Sequence, residues 1–142
     1  MWENFKTMPM LLKFLTAHAI ACIAFLFGSV IPHDSFSVNG QSVTYSEWWS
    51  SGIGIYVSIL GALMAIAGYL LVSKKRFSRQ IYLAVVPLGL VVPYLKFGEY
   101  TLAVVGVVIT LGIAAYLFLK ASAKEYFASN NRMQSDAAKL RR

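Results

Sequence analysis

Two residues inside an apolar stretch of this chain have side chains that could bind a metal or move a proton. His18 and Cys22 are four positions apart, so a helix would place them on the same face. An imidazole and a thiol can hold a soft metal ion, and an imidazole alone can relay protons. Two ligands make only half of a metal site. We therefore favour a histidine bonded to a neighbouring helix.

A second group of possible ligands lies between the first two apolar runs. His33, Asp34 and Glu47 would offer one nitrogen and two carboxylates to a metal ion. Their spacing matches no metal motif, and solvated loop residues with a helix cap account for all three. The sequence therefore predicts no catalytic residue, no metal and no cofactor, and it leaves His18, Cys22, His33, Asp34 and Glu47 as the candidates to examine.

Four long apolar runs must position these residues. They cover residues 14–31, 50–72, 80–95 and 100–119, and none contains Asp, Glu, Lys or Arg. About 20 apolar residues cross the hydrocarbon core of a bilayer as a helix. Charged residues make up 13% of the chain, against about 25% in soluble domains. The sequence predicts an all-α integral membrane bundle of four transmembrane helices, with residues 1–130 as one domain.

The third run is the shortest and contains Pro87. Proline removes a backbone donor and clashes with the preceding turn, so it predicts a kink. The kink adjusts the shape of a packed bundle or, in a transporter, acts as a hinge. A re-entrant third segment is the alternative to a complete crossing.

Basic residues predict the orientation. Twelve of the thirteen Lys and Arg residues lie at the two termini or between runs two and three, and only Lys96 lies on the other side. The positive-inside rule then places both termini in the cytoplasm. Anionic lipid headgroups at the cytoplasmic face are the expected partner of these cations. No module for binding nucleic acid is recognisable, so we expect no nucleic-acid partner.

The segment between runs one and two predicts a short β-hairpin. Asn39 and Gly40 stand between β-prone residues, and Asn-Gly is the typical type I′ turn. A two-stranded hairpin is marginal by itself in water, so it should lean on the outer helix ends. Thr44 and Glu47 then fit a capping box, which predicts that the second helix begins near Tyr45.

Small residues indicate where helices pack closely. Gly54 and Ser58 are four residues apart in run two, with Gly61 one turn further, and Gly106 and Thr110 repeat the spacing in run four. Helices in lipid associate through such small residues because burying apolar surface against other apolar surface gains nothing. The contacted helix lies either in the same chain or in another protein.

The last residues carry the one resemblance to known proteins. The segment Arg132–Arg142 reads RMQSDAAKLRR, and it resembles the C-terminal ends of bacterial proteins encoded on integron gene cassettes. The resemblance implies a mobile bacterial gene, and hence the bacterial inner membrane, but no activity. Residues 131–142 show no packing pattern, so we predict a disordered cytoplasmic tail.

These observations favour a small non-enzymatic multi-pass protein of the inner membrane. We expect a structural, accessory or modulating subunit, either as a homo-oligomer or bound to another membrane protein. Two alternatives stay open. One is an oligomeric small-solute transporter or channel that uses His18 and Pro87, and the other is a membrane redox or metal-binding protein that uses His18 and Cys22.

Overall fold

The computed structural model describes residues 2–38, 40–75 and 77–128. Four of its helices are long and apolar enough to cross a membrane, in agreement with the prediction of an all-α multi-pass bundle. We refer to them as spans one to four: Met10–Val30, Ile53–Val72, Ser78–Lys96 and Tyr100–Leu119. The predicted disordered tail lies outside the described residues.

Each span consists of one or two regular helices. Among the described residues, three shorter helical segments and a hairpin lie outside the spans. Span one has a tight turn at Cys22, where the amide of Phe25 bonds the Cys22 carbonyl three residues earlier. The elements in chain order are α1 (Trp2–Lys6), α2 (Met10–Ala21), α3 (Ile23–Val30), β1 (Ser37–Val38), β2 (Gln41–Ser42), α4 (Tyr45–Ser50), α5 (Ile53–Val72), α6 (Ser78–Leu90), α7 (Val92–Lys96) and α8 (Tyr100–Leu119).

The predicted capping box is present, but the helix that it starts is short. Thr44 Oγ1 accepts a hydrogen bond from the amide of Glu47 at 3.3 Å, and the Glu47 carboxylate accepts one from the amide of Thr44 at 2.8 Å. This helix is α4, which ends before Gly52, where φ is +78°. Span two therefore begins at Ile53. The predicted start near Tyr45 is right for α4 but wrong for span two, because the left-handed Gly52 interrupts the helix.

The predicted hairpin is confirmed. Ser37 pairs with Ser42 and Val38 with Gln41, and Gly40 has the positive φ that the turn requires. The hairpin packs against the helix ends through Phe36, which is 4% exposed. The Phe36 ring stacks 3.9 Å from the His33 ring and 5.0 Å from the Trp48 ring, measured between centroids.

Span three is interrupted later than Pro87. Helix α6 continues through Pro87 to Leu90, and the interruption lies at Val91, where φ is −122° and ψ is −52°. Pro93 supplies a physical reason, because it lacks the amide that would bond the carbonyl four residues earlier. Helix α7 completes the span, so the segment is long enough for a complete crossing.

The spans pack as neighbours in chain order: one against two, two against three, and three against four. The most deeply buried side chains lie towards one end of the bundle, and they include Leu12, Leu71, Tyr82 and Leu117. Spans two and three form the middle of the bundle, because each packs against two other spans.

Two short helical segments cover that same end of span two. Asn4 of α1 donates to the Val72 carbonyl at 3.1 Å. Span four ends at Leu119, Lys120 is extended, and residues 121–128 form a further helical segment. From this segment the Tyr126 hydroxyl reaches the carbonyls of Leu71 and Val72 at 3.5 and 3.4 Å. We call this the basic end of the bundle, and the opposite one the hairpin end.

Candidate functional site

An apolar cavity lies among the spans and brings two of the candidate residues together. Its volume is about 510 Å³, and all four spans contribute to its wall. His18 and Cys22 line it from span one, opposite Tyr82 of span three. The remaining wall is apolar, from Phe14, Leu15, Phe25, Leu60, Met64, Val86, Gly89, Leu90, Ile109 and Ile113.

His18 and Cys22 contact one another as their spacing predicts. The Cys22 sulfur lies 3.9 Å from His18 Nε2. Cys22 is buried against span two, whereas His18 is exposed on the surface of the chain. Across the described ranges, no three His, Cys, Asp or Glu side chains come together in a way that could hold a metal ion. The described hydrogen-bond partner of His18 is thus Cys22 of its own span, whereas the sequence favoured a partner on a neighbouring helix.

The structure does not assemble His33, Asp34 and Glu47 into one site. His33 Nε2 donates to the Gly28 carbonyl at 2.8 Å, and its Nδ1 accepts from the amide of Ser35 at 3.1 Å, so both ring nitrogens are used locally. The Glu47 carboxylate is bound in the capping box, and the hydrogen bond from the backbone of Thr44 lowers its pKa. Asp34 is exposed on the loop.

Gly61 and Gly68 of span two face span one. A Cβ added at Gly61 would lie 2.7 Å from the Cys22 carbonyl oxygen and 2.8 Å from the Leu26 amide nitrogen, and one added at Gly68 would meet Ile20 and Ala19. Real Cβ atoms essentially never approach within 3.0 Å. Spans one and two therefore touch backbone to backbone.

Gly54 and Ser58 take part in a hydrogen-bond network at the hairpin end. The Ser58 hydroxyl donates to the Gly54 carbonyl at 2.7 Å, and the Ser29 hydroxyl of span one donates to the same oxygen at 2.9 Å. Ser29 in turn accepts from the Trp48 indole at 2.8 Å. This network ties span one, α4 and span two together. Sequence reasoning missed Ser29, because a lone serine in an apolar run carries no periodic signal.

Gly106 lies at the contact between spans three and four. A Cβ added at Gly106 would overlap the backbone carbonyl of Leu90. Leu90 is the last residue before the interruption of span three. Thr110 donates to the Gly106 carbonyl at 2.8 Å within its own helix. The interruption at Val91 therefore lies against the one glycine of span four that permits so close a backbone approach.

Span one carries an exposed seam that sequence reasoning also missed. Six residues of span one and the residue that follows it, at alternating four- and three-residue intervals, all lie exposed, and small residues occupy the middle of the row. Their spacing is the heptad repeat of helices that pair along a seam. The spacing itself was readable in the sequence. We call these residues the span-one seam: Met10, Phe14, Ala17, Ala21, Ala24, Gly28 and Ile31.

Comparison with known proteins adds no family: no family model, curated protein or solved structure matches this chain. Its function must be argued from its own residues.

Proposed function

We propose that this chain is a non-enzymatic multi-pass protein of the bacterial inner membrane that acts as a structural or modulating subunit. In this proposal two copies pair symmetrically along the span-one seam, and the pair is the functional unit. Both termini lie in the cytoplasm, so the hairpin lies on the outer side. The single observation that carries the proposal is the seam.

The seam has the form that helix pairing in lipid requires. Ala17, Ala21, Ala24 and Gly28 let a second backbone approach closely, which lipid-embedded helices need for dispersion contacts. No atom lies within 4 Å of a Cβ added at Gly28, so this backbone is open to a partner. A two-fold axis places the same surface of both copies in contact, and a row of small residues is complementary to itself.

Three hydroxyls within the spans favour a subunit over an enzyme, because each is bonded to a backbone carbonyl. The hydroxyls of Ser58 and Thr110 donate to carbonyls of their own helices, and the Tyr56 hydroxyl donates to the Leu88 carbonyl of span three. These groups are therefore used in helix packing.

Cysteine crosslinking in membranes tests the proposed pairing. After Cys22→Ala removes the native thiol, Ala24→Cys places a thiol on the seam, and mild oxidation should give disulfide-linked dimers. Val108→Cys is the matched control, because it is 63% exposed on span four. Adding Ala21→Leu to the seam variant should abolish the dimer. Equal crosslinking from Ala24→Cys and Val108→Cys would refute pairing through the seam.

Reporter fusions test the proposed orientation. A reporter that is active only outside the cytoplasm should work when inserted after Gly40 in the hairpin and should fail when fused after Arg142. Activity of that reporter at Arg142 would overturn the N-in, C-in arrangement, although pairing along the seam would remain possible.

The cavity supports a second candidate function, an oligomeric transporter of small solutes. Its apolar wall, with His18 and Cys22 at one side, suits an apolar solute better than an ion. Solute uptake into vesicles that contain the purified protein would test it, with His18→Phe as a variant that fills space at the cavity wall. Uptake that is absent from these vesicles, or unchanged by His18→Phe, would count against this candidate.

A further inference from the structure

A basic pocket lies at the basic end, outside the apolar cavity. Its volume is about 430 Å³, and it opens between the loop that joins spans two and three and the helical segment 121–128. Four cationic side chains line it, and no described carboxylate does. The lining residues are Lys74, Lys75, Arg79, Gln80, Lys124, Phe127 and Ala128.

Packing contacts hold Arg79 in place at this pocket. One guanidinium nitrogen donates to the Leu117 carbonyl at 3.2 Å. The guanidinium carbon lies 4.8 Å from the centroid of the Phe118 ring and 5.1 Å from that of Phe127. A guanidinium has five N–H donors, so this single bond leaves others for an anion. The planar fork suits two oxygens of one phosphate.

The backbone at Lys74 is unusual and fixes the pocket's other side. Lys74 follows the end of span two with φ of +51°, a region that glycine normally occupies at helix ends. The amide of Lys75 bonds the Leu70 carbonyl and that of Lys74 bonds the Leu71 carbonyl, which closes the helix. The Lys74 ammonium lies 4.3 Å from the centroid of the Tyr126 ring, and burial lowers the pKa of Lys74.

The position of the pocket favours an anion at the membrane surface. Span two ends at Val72, span three begins at Ser78 and span four ends at Leu119, so the lining residues lie at or beyond the ends of these three spans. Lipid phosphates lie at this level of a bilayer. The pocket also includes Arg79 and Gln80 from the first turn of α6, and a helix N-terminus favours negative charge.

We propose that this pocket is a specific binding site for the phosphodiester headgroup of an anionic phospholipid. Arg79 would bind the phosphate oxygens, Lys75 and Lys124 would add positive charge from the two sides of the pocket, and Lys74 would close its inner wall. The site differs from a general attraction of basic residues to the membrane, because its four cationic side chains line a single pocket. The proposed lipid site depends neither on the pairing of two copies along the span-one seam nor on the orientation of the chain in the membrane.

Native mass spectrometry in a neutral detergent tests the site, because neutral micelles remove the surface potential that attracts all basic residues. Phosphatidylglycerol, phosphatidylcholine and inorganic phosphate are added separately. We expect phosphatidylglycerol to remain bound, and little retention of the zwitterionic lipid or the free ion. Lys124→Gln should weaken lipid binding about fivefold, from the usual contribution of one basic residue near an anionic lipid.

Lys120→Gln is the matched control. It removes the same charge from the same end of the chain, but Lys120 does not line the pocket. Lys75→Gln provides a second exposed test position, so a folding defect in one variant would not decide the outcome.

Equal loss of binding in Lys120→Gln and Lys124→Gln would overturn the proposal in favour of diffuse attraction. Retention of phosphatidylcholine as strong as that of phosphatidylglycerol would also overturn it, and inorganic phosphate binding equally well would show an ion site rather than a lipid site.

Discussion

Gly61→Ala tests the backbone contact between spans one and two with the smallest possible change. The added Cβ would lie 2.7 Å from the Cys22 carbonyl oxygen, whereas ordinary contacts begin at 3.4 Å. Span one would have to move away by about 0.7 Å at this point. The neighbouring atoms are backbone atoms of a packed helix, so no side chain can rotate aside to make room.

Gly112→Ala is the matched control, because it makes the same substitution in another span and no atom lies within 4 Å of the added Cβ. Alanine is favoured over glycine in a helix by about 1 kcal/mol, and this gain is common to both variants. Overpacking costs about 1–3 kcal/mol, and only Gly61→Ala incurs it. The difference in unfolding free energy between the two variants should therefore be about 1–3 kcal/mol, with Gly61→Ala the less stable.

Unfolding of the purified protein in mixed micelles, titrated with a denaturing detergent and followed by circular dichroism, would measure this difference. Thermal aggregation of the same two variants gives a second readout. If Gly61→Ala were as stable as Gly112→Ala, span one would not lie against Gly61, and the packing of the first two spans would be wrong.

Three further outcomes follow from the described contacts. Gly106→Ala should be less stable than Gly112→Ala by about 1–3 kcal/mol, because span three's carbonyl occupies the site of the new Cβ; equal stability of the two variants would contradict that contact. Ser29→Ala should cost about 1–3 kcal/mol, because the Trp48 indole loses its acceptor, and an unchanged Trp48 fluorescence spectrum would count against it. Glu47 has a lowered pKa when folded, so its contribution is present above the unfolded pKa of about 4.3 and is lost as the pH falls through the folded value. Wild type and Glu47→Gln should therefore differ in melting temperature at pH 7 and converge in acid; a constant difference would show that Glu47 does not act through its charge.

Local signals predicted the elements at the hairpin end. Asn-Gly requires a particular turn, and Thr44 with Glu47 satisfies the first amides of a helix, so each depends on neighbouring residues only. The apolar runs likewise predicted four spans, because bilayer thickness fixes their length. The bounds were less accurate. Span two begins later than predicted because of the left-handed Gly52, which the apolar run does not reveal.

The packing partners could not be predicted, because they depend on which helix approaches which. Gly61 was expected to meet a helix, but only the structure identifies it as span one. The approach of the Leu90 carbonyl to Gly106 depends on the interruption at Val91, which precedes Pro93 and which the apolar run does not reveal. The basic pocket likewise combines residues far apart in the chain, whose positive charge suggested only orientation and general attraction to lipid.

The central claim is that two copies pair along the span-one seam, and counting subunits in a bilayer tests it most directly. Single molecules labelled with one fluorophore each would be diluted in lipid, and their photobleaching steps counted. The account predicts mostly two steps for the wild type and for Val108→Leu, which lies outside the seam, and one step for Ala21→Leu. One step for the wild type at every dilution, or two steps for Ala21→Leu, would contradict it.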